Sequence, residues 1–291
     1  MKNINIFCFG FGQVAKNFIS KIVLENYNIN LSSTSRSETS KKNIHGIDYI
    51  NYQFNGEKYD KNLITKLRQS DHILISIPPN DGEDLVVKNF SQFLKNSKVK
   101  WITYLSATSV YGDHKGKWVN ENSKTKPTSI NGLSRLKAEK SWLSIKKNKN
   151  LPVQVFRLSG IYSNENNVLV RLKLGTAKLI NKKNHYFSRI HVEDIAGILF
   201  KSLSKFKSGE IYNLTDDKPA SSEEITLFGA KILDIKNLKN IEVEDVKNET
   251  LKIFYKDSKK VSNKKIKDYF DYNFKFPTYI EGLNYIRNNF F

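Results

Sequence analysis

Three features predict a doubly wound α/β fold, a parallel sheet with helices on both faces. Short apolar runs alternate with amphipathic segments from the first residues onward, a glycine turn marks the first such junction, and the chain has 291 residues with 39% apolar content. A chain of that size can bury a full core and suits one large α/β domain, with or without a small appendage. Strands alternating with helices make βαβ units and hence a parallel sheet.

The elements follow in order. "INIFCFG" is short and apolar, and "QVAKNFISKIVLEN" then puts Val14, Ala15, Phe18, Ile19, Ile22 and Val23 on one helical face. "INLSSTS" and "GIDYINYQF" read as strands, "DKNLITKLRQS" as a helix and "HILISIPP" as an apolar strand. Helix "DLVVKNFSQFLKNS", strand "VKWITYLSATSVYG", helix "INGLSRLKAEKSWLSIKK" and strand "LPVQVFRLSGIY" continue the alternation. The right-handed crossover rule turns this series into a Rossmann arrangement. Beyond Tyr162 the rhythm loosens: "NVLVRLKLGTAKLI" reads as a helix, "YFSRIHV" as a strand, "EDIAGILFKSLSKF" as a helix and "GEIYNLTDD" as a late strand. Ser221 and Glu224 fit a capping box opening "SEEITLFGAKILDI". Residues 1–162, completed by about 186–215, form the expected dinucleotide domain, and 163–185 with 216–291 the smaller substrate lobe. Aromatic anchors Phe254, Tyr255, Tyr269, Tyr279 and Tyr285 punctuate its charged tail.

Lys plus Arg number 48 and Asp plus Glu 29, a formal charge of +19 that raises the question of a nucleic-acid or acidic partner. The lysines are dispersed among Asn and Ile, as in "KKNKN" and "NKKIK", which reads as solvated faces and argues against nucleic acid. The single cysteine, Cys8, falls inside the first apolar run and reads as a buried structural thiol. The N-terminal run is broken by glycines and lacks a small-x-small cleavage site, and no stretch has the length of a membrane span, so a cytoplasmic protein is expected. No metal is expected.

The turn Gly10-x-Gly12-x-x-Ala15 follows a strand and opens a helix. The first glycine permits the tight turn, the second lets backbone N–H groups approach a pyrophosphate, and a small third residue lets the helix lie close to the strand. The helix N-terminus adds unpaired donors and a partial positive charge. Gly10, Phe11, Gly12, Gln13 and Val14 are therefore the expected phosphate cradle. NAD-specific sites place Asp or Glu at the end of the second strand, whereas this chain has Ser35-Arg36 there. An arginine and hydroxyls would hold the extra phosphate of NADP, so NADP(H) is the expected cofactor, with NAD(H) the alternative.

"YLSATSVYGD", Glu121, Pro127, "NGLSRLKAEKSW", "VFRLSGIY", "RIHVEDIA" and "GEIYNL", in that order, resemble the extended short-chain dehydrogenase/reductases, the NAD-dependent epimerase/dehydratase group, most closely its atypical YeeZ-like branch. The resemblance weakens from about Ile235 onward. It implies an oxidoreductase or epimerase acting on a carbonyl or sugar-like small molecule, and a homodimer. It also implies cofactor contacts from Ile77, Pro78, Pro79 and Ser106. The family's Tyr and Lys correspond to Asn131 and Arg135, its Ser or Thr to Ala107, and its Glu to Glu139. An amide exchanges no proton near neutral pH, so Asn131 cannot act as the general acid or base. Arg135 can still hold a ribose hydroxyl. Dehydratase-type members carry an Asp-Glu pair where this chain has Thr108-Ser109, and several sugar-nucleotide epimerases carry an Arg where it has Phe187, leaving Arg189 as the nearby cation. His191 reads as a structural imidazole. Thr108 and Tyr111 remain the hydroxyls expected nearest a nicotinamide, with packed, non-catalytic roles the alternative. A second function stays open: a non-catalytic module that senses NADP(H) and binds a protein partner.

Overall fold

The computed structural model describes residues 3–80, 82–95, 97–247 and 249–291. Strand β1 (Asn3–Phe9) leads into α1 (Gln13–Leu24), β2 (Asn28–Ser35), β3 (Ser40–Ile44), β4 (Ile47–Gln53), α2 (Asn62–Gln69), β5 (His72–Ile75), α3 (Leu85–Leu94) and β6 (Trp101–Ala107). A 3-10 turn over Thr108–Tyr111 precedes β7 (Trp118–Val119), α4 (Ile130–Lys149), β8 (Val153–Leu158), β9 (Gly160–Tyr162), α5 (Val168–Lys173), β10 (Leu179–Asn181), β11 (Arg189–His191), α6 (Val192–Ser202) and β12 (Ile211–Leu214). Then come α7 (Ser222–Ile232), β13 (Asn240–Glu242), α8 (Glu249–Lys256), β14 (Lys260–Val261), α9 (Lys264–Phe270) and α10 (Tyr279–Phe290).

The chain forms two compact units. The first comprises Met1–Ala107, Leu133–Arg157 and Ile195–Tyr212, the second Thr108–Gly132, Leu158–Asp194 and Asn213–Phe291. Residues 108–132, which the sequence reading leaves in the dinucleotide domain, cluster with the second unit.

The large sheet has the strand order β12-β8-β6-β5-β1-β2-β4-β3. Pairs β1/β2, β1/β5, β2/β4 and β5/β6 are parallel, and β3 runs antiparallel to β4. The order reverses at β1, the arrangement of a Rossmann sheet. Phe7 and Phe9 of β1, Ile73 and Ile75 of β5, and Ile102 and Tyr104 of β6 pack with Leu67 of α2, Phe90 of α3 and Trp142 of α4. Fully burying side chains of this size contributes about 1.5–3 kcal/mol each. Asp84 caps α3 by accepting from Val86 N and Val87 N, and its other oxygen accepts from Trp142 Nε1 at 3.0 Å. One carboxylate thus ties two helices of the core.

The second unit has its own core, built on Tyr162, Leu169, Leu172, Ile225, Leu283 and Ile286. The Asp194 carboxylate, wholly buried, accepts from Lys275 N (2.7 Å), Phe276 N (3.0 Å) and the Tyr272 hydroxyl (3.1 Å), fixing the segment that leads to α10.

The structure corrects three local readings. The helix expected through "NVLVRLKLGTAKLI" ends at Lys173; Gly175 then takes φ +64° and the chain resumes as strand β10. Ser221 caps α7 by accepting from Glu224 N, but the Glu224 carboxylate accepts from the Tyr279 hydroxyl at 2.7 Å and pairs with Lys218. A full capping box sits instead at Thr278 and Glu281, opening α10. Strand β3, which lacks any apolar alternation, is absent from the sequence reading.

Candidate functional site

The glycine turn is held by hydroxyls. Gly10 has φ +81°, and a Cβ there would lie 2.7 Å from Ile77 Cγ2 and 2.9 Å from Ser76 Oγ, so both conformation and space demand glycine. Gly10 N donates to Thr34 Oγ1 at 3.0 Å. The Ser76 hydroxyl approaches both the Phe9 and Gly10 carbonyls at 3.0 Å, and Ser76 N and Ile77 N donate to the Phe9 carbonyl. Ile77 thereby lies against the turn, with Pro78 exposed and Pro79 half-buried beyond it. Sequence reasoning missed Thr34 and Ser76 as turn-holding residues; the run Ser-Ser-Thr-Ser inside a buried strand was the available signal.

Gly12 differs from Gly10. It caps α1 with φ −85°, no side chain caps the helix, and a Cβ placed on it would meet nothing within 4 Å. The first helical bond runs from Lys16 N to Gly12 O, so the amides of Gln13, Val14 and Ala15 have no intrahelical acceptor. The first turn of α1 carries no acidic residue. Phe11 flanks this open space and packs on Tyr49 with ring centroids 5.1 Å apart. Helix dipole, free amides and open room make an anion-binding corner of the kind that cradles a pyrophosphate.

At the end of β2, Ser35 Oγ accepts from Asn51 Nδ2 at 2.7 Å, and Asn51 Oδ1 accepts from Ser33 Oγ at 2.8 Å. Arg36 follows, exposed and, among the described residues, without a side-chain partner.

The remaining sequence-selected positions of the first unit fall on β6 and α4. The Ser106 hydroxyl, 2% exposed, donates to Glu139 Oε1 at 2.5 Å. Glu139 also accepts from Arg157 Nη2 (2.7 Å) and Nε (3.0 and 3.2 Å to its two oxygens), and all three side chains are buried. The Ser106 hydroxyl is thus bound to an internal ion pair. Arg135 donates through Nη1 to the Leu105 carbonyl, and Asn131 lies exposed one turn earlier on α4.

The second unit contains the two hydroxyls expected near a nicotinamide. Thr108 is 5% exposed, and Tyr111 has no exposed surface and donates its hydroxyl to Asn213 Oδ1 at 2.7 Å. Asn213 is itself held by Glu121 Oε1, which accepts from Asn213 N, and by the Ser262 carbonyl. In this network the Tyr111 hydroxyl makes a fold contact with Asn213.

His191 is likewise internal. Its ring lies 4.2 Å from Phe276 and 5.0 Å from Tyr162, its Nδ1 accepts from Glu193 N, and burial pulls its pKa down to about 4. It is a neutral structural imidazole at pH 7. Burial also raises the Cys8 thiol pKa, so the cysteine stays protonated and inert.

The second unit also contains a cavity of about 570 Å³, framed by β9, β11, α5 and α7. Aromatic rings of Phe187, Phe254, Tyr255 and Tyr279 line it together with Arg171, Lys178 and Arg189. Gly160 makes room for Phe187, whose ring edge would lie 2.3 Å from a Cβ there. Phe187 in turn meets Phe254 edge-on at 4.4 Å and has the Arg189 guanidinium 5.0 Å from its centre.

Among the described residues no cluster of His, Cys, Asp or Glu could hold a metal ion, and no helix is long and apolar enough to cross a membrane.

Comparison with known proteins agrees with this architecture. The NAD dependent epimerase/dehydratase family model matches residues 85–215. A functionally unknown conserved protein from Silicibacter pomeroyi is 28% identical, with a TM-score of 0.83 over 98% of this chain and 99% of that one. UDP-N-acetylglucosamine 4-epimerase from Bacillus cereus is 17% identical, with a TM-score of 0.75 over 98% of this chain and 100% of its own. dTDP-glucose 4,6-dehydratase from Bacillus anthracis, solved with NAD, is 20% identical, with a TM-score of 0.76 over 98% and 96%. At such identities the two enzymes show a shared fold. The sequence has no match among curated proteins. A Rossmann sheet opening on a glycine turn, a family match across its middle and a common fold over nearly its whole length make this chain similar to the NAD dependent epimerase/dehydratase family.

Proposed function

We propose that this protein binds a nicotinamide dinucleotide at the turn after β1, NADP(H) in preference to NAD(H), and acts as an oxidoreductase or epimerase on a carbonyl or sugar-like small molecule. The observation that carries the reading is the uncapped start of α1 beneath the Gly12 opening, beside a Gly10 that no other residue can replace. The amides of Gln13 and Val14 would hold the pyrophosphate, and Ser35 with Arg36 the 2′-phosphate. A bound nicotinamide supplies reversible hydride transfer. The exposed, unpaired Arg36 supports the NADP(H) preference, because an arginine fork matches a phosphate dianion and the carboxylate that would repel it is missing.

Calorimetric titration with NADPH and, separately, NADH tests this. Tight NADPH binding and weak NADH binding are expected, with the preference falling about ten- to a hundredfold in Arg36→Ala, the worth of a charge-assisted hydrogen bond. Absence of binding by both, or an unchanged ratio in the variant, would overturn the reading.

A second reading, a module that responds to NADP(H) without catalysis, is favoured by one observation. The position of the family tyrosine holds Asn131, and the Tyr111 hydroxyl is committed to Asn213. Tight dinucleotide binding with no hydride exchange on any carbonyl or sugar would select it.

A further inference from the structure

We infer that the edge of the large sheet opposite the glycine turn, where β6, β8 and β12 begin, is a docking surface for duplex DNA, gripped through its phosphates without regard to base sequence. It is a second surface of the first unit and is independent of dinucleotide binding.

The lysines that look dispersed along the chain converge at this edge. In a parallel sheet the connections that leave a helix and enter a strand lie along one edge, and the glycine turn, which leaves a strand, lies along the other. Strands β6, β8 and β12 are neighbours, and their entry segments, "LKNSKVK" (94–100), "IKKNKN" (145–150) and "KSLSKFKSGE" (201–210), carry nine lysines and one carboxylate, Glu210. Hydrogen bonds tie these entries together: Ile102 N donates to the Pro152 carbonyl (2.8 Å), Gly209 N to the Val153 carbonyl (2.6 Å) and Trp101 Nε1 to Ser202 Oγ (3.0 Å). Lys146 lies over Gly209, its Nζ 3.2 Å from where a Cβ would stand.

Local carboxylates leave most of this charge uncompensated. Glu210 pairs with Lys207 at 2.8 Å, and Asp71, at the entry to β5, pairs with Lys100 at 3.2 Å. Lys95, Lys98 and Lys147 are exposed and have no ion-pair partner among the described residues. Cations in the last turn of a helix complement its dipole, which accounts for Lys146, Lys147 and Lys201. Lys98, Lys100, Lys205 and Lys207 lie past the ends of α3 and α6, where that effect has faded, so the dipoles do not explain the cluster.

The same edge continues as a ladder of amides. Asn28 Nδ2 donates to Asn3 Oδ1 (2.8 Å), Asn30 Nδ2 to Asn5 Oδ1 (3.1 Å) and Asn5 Nδ2 to Asp71 Oδ2 (2.8 Å), at the starts of β1, β2 and β5. Ammonium and amide side chains are the groups that contact phosphate and sugar oxygens. From β12 to β2 the edge crosses six strands, about 24 Å at the usual strand spacing, which matches about seven phosphates along one DNA strand. Among the described residues none of the exposed large apolar side chains lies in the three lysine segments. That favours a duplex backbone over a single strand, whose binders stack bases on exposed rings, and over a lipid surface, whose binders insert apolar side chains. Short loops reach phosphates rather than span the minor groove through which duplex RNA is recognised.

Fluorescence anisotropy of a labelled mixed-sequence DNA duplex, titrated with the full chain between about 50 and 200 mM salt, tests this. Binding that weakens steeply with salt is expected. The triple variant Lys95→Gln, Lys98→Gln, Lys147→Gln should lose at least about tenfold in affinity at the low-salt end, and its slope of log K against log salt should be shallower by about 2–3, since each phosphate contact contributes about 0.9. A control of equal net charge, Lys115→Gln, Lys117→Gln, Lys183→Gln, removes three exposed lysines of the second unit and should leave the slope unchanged. No binding at the low-salt end, equal losses in the two triple variants, or tighter binding to duplex RNA or to vesicles containing phosphatidylserine would overturn the inference. A parallel NADPH titration of the same preparations reports on the glycine turn, so failure of one reading does not mask the other.

Discussion

Replacing Glu139 with alanine should destabilise the first unit severely. Glu139 is 1% exposed and Arg157 3%, and the carboxylate takes two N–H groups of the guanidinium and the Ser106 hydroxyl. Removing it leaves a guanidinium in the core without its counter-charge, which costs about 3–5 kcal/mol. The stranded Ser106 donor adds about 1 kcal/mol. Set against a typical folding free energy of about 5–15 kcal/mol, that loss brings the protein close to unfolding. Replacing both partners, as in Glu139→Leu with Arg157→Met, removes the charge along with its partner and should recover most of the stability. Urea denaturation followed by tryptophan fluorescence measures both, with Trp142 on the same helix as Glu139. A single variant that loses under about 1 kcal/mol, or a double variant as unstable as the single, would refute the argument that an uncompensated buried charge dominates here. Because Asn131, Arg135 and Glu139 recur every four residues on α4, the ion pair also sets the position of the face that carries the altered family residues.

Other perturbations have equally definite outcomes. Gly10→Ala puts a Cβ 2.7 Å from Ile77 in a left-handed backbone, and dinucleotide affinity by calorimetry should fall by more than about tenfold, with a loss of stability above the about 1–2 kcal/mol that the backbone conformation alone costs. Gly112→Ala is harsher, since φ is +67° and the Cβ would lie 2.1 Å from the Lys126 carbonyl oxygen, and soluble expression should collapse. His72 and His191 are held near a pKa of about 4 by burial, against an ordinary 6.5. The unfolded chain therefore binds more protons between pH 4 and 6.5, and stability should fall as pH drops through that window, by up to about 3 kcal/mol per imidazole. Urea midpoints at pH 7, 6 and 5 check this, and the His72→Gln, His191→Gln double variant should flatten the slope.

The alternation of apolar runs and amphipathic segments was enough to locate the sheet, because each buried strand and its covering helix bear a periodic signature. The glycine turn was legible for the same reason: its φ and its clearance are local demands on one residue. What holds that turn was not, since Thr34 on β2 and Ser76 just past β5 act from elsewhere in the chain, and a hydroxyl's partner is a property of register rather than of spacing. The internal partners of Ser106 and Tyr111 were illegible on similar grounds, for a buried hydroxyl reads the same in sequence whether it faces a ligand or an internal carboxylate or amide. Arg171 was invisible because nothing in "VLVRLKL" marks its arginine as cavity-facing until α5 ends at Lys173 and the chain turns back through Gly175.

Strand β3 bears on how the protein behaves in concentrated solution. It forms one margin of the eight-stranded sheet, where a row of unpaired backbone groups would otherwise template the addition of a strand from another molecule. Its five residues, Ser-Lys-Lys-Asn-Ile, are short and polar, and Lys41 and Lys42 project as adjacent exposed charges along that margin. Two chains approaching along this margin must bring like charges together on both faces, so the strand that periodicity overlooked also guards this margin against intermolecular β-pairing and fibril growth.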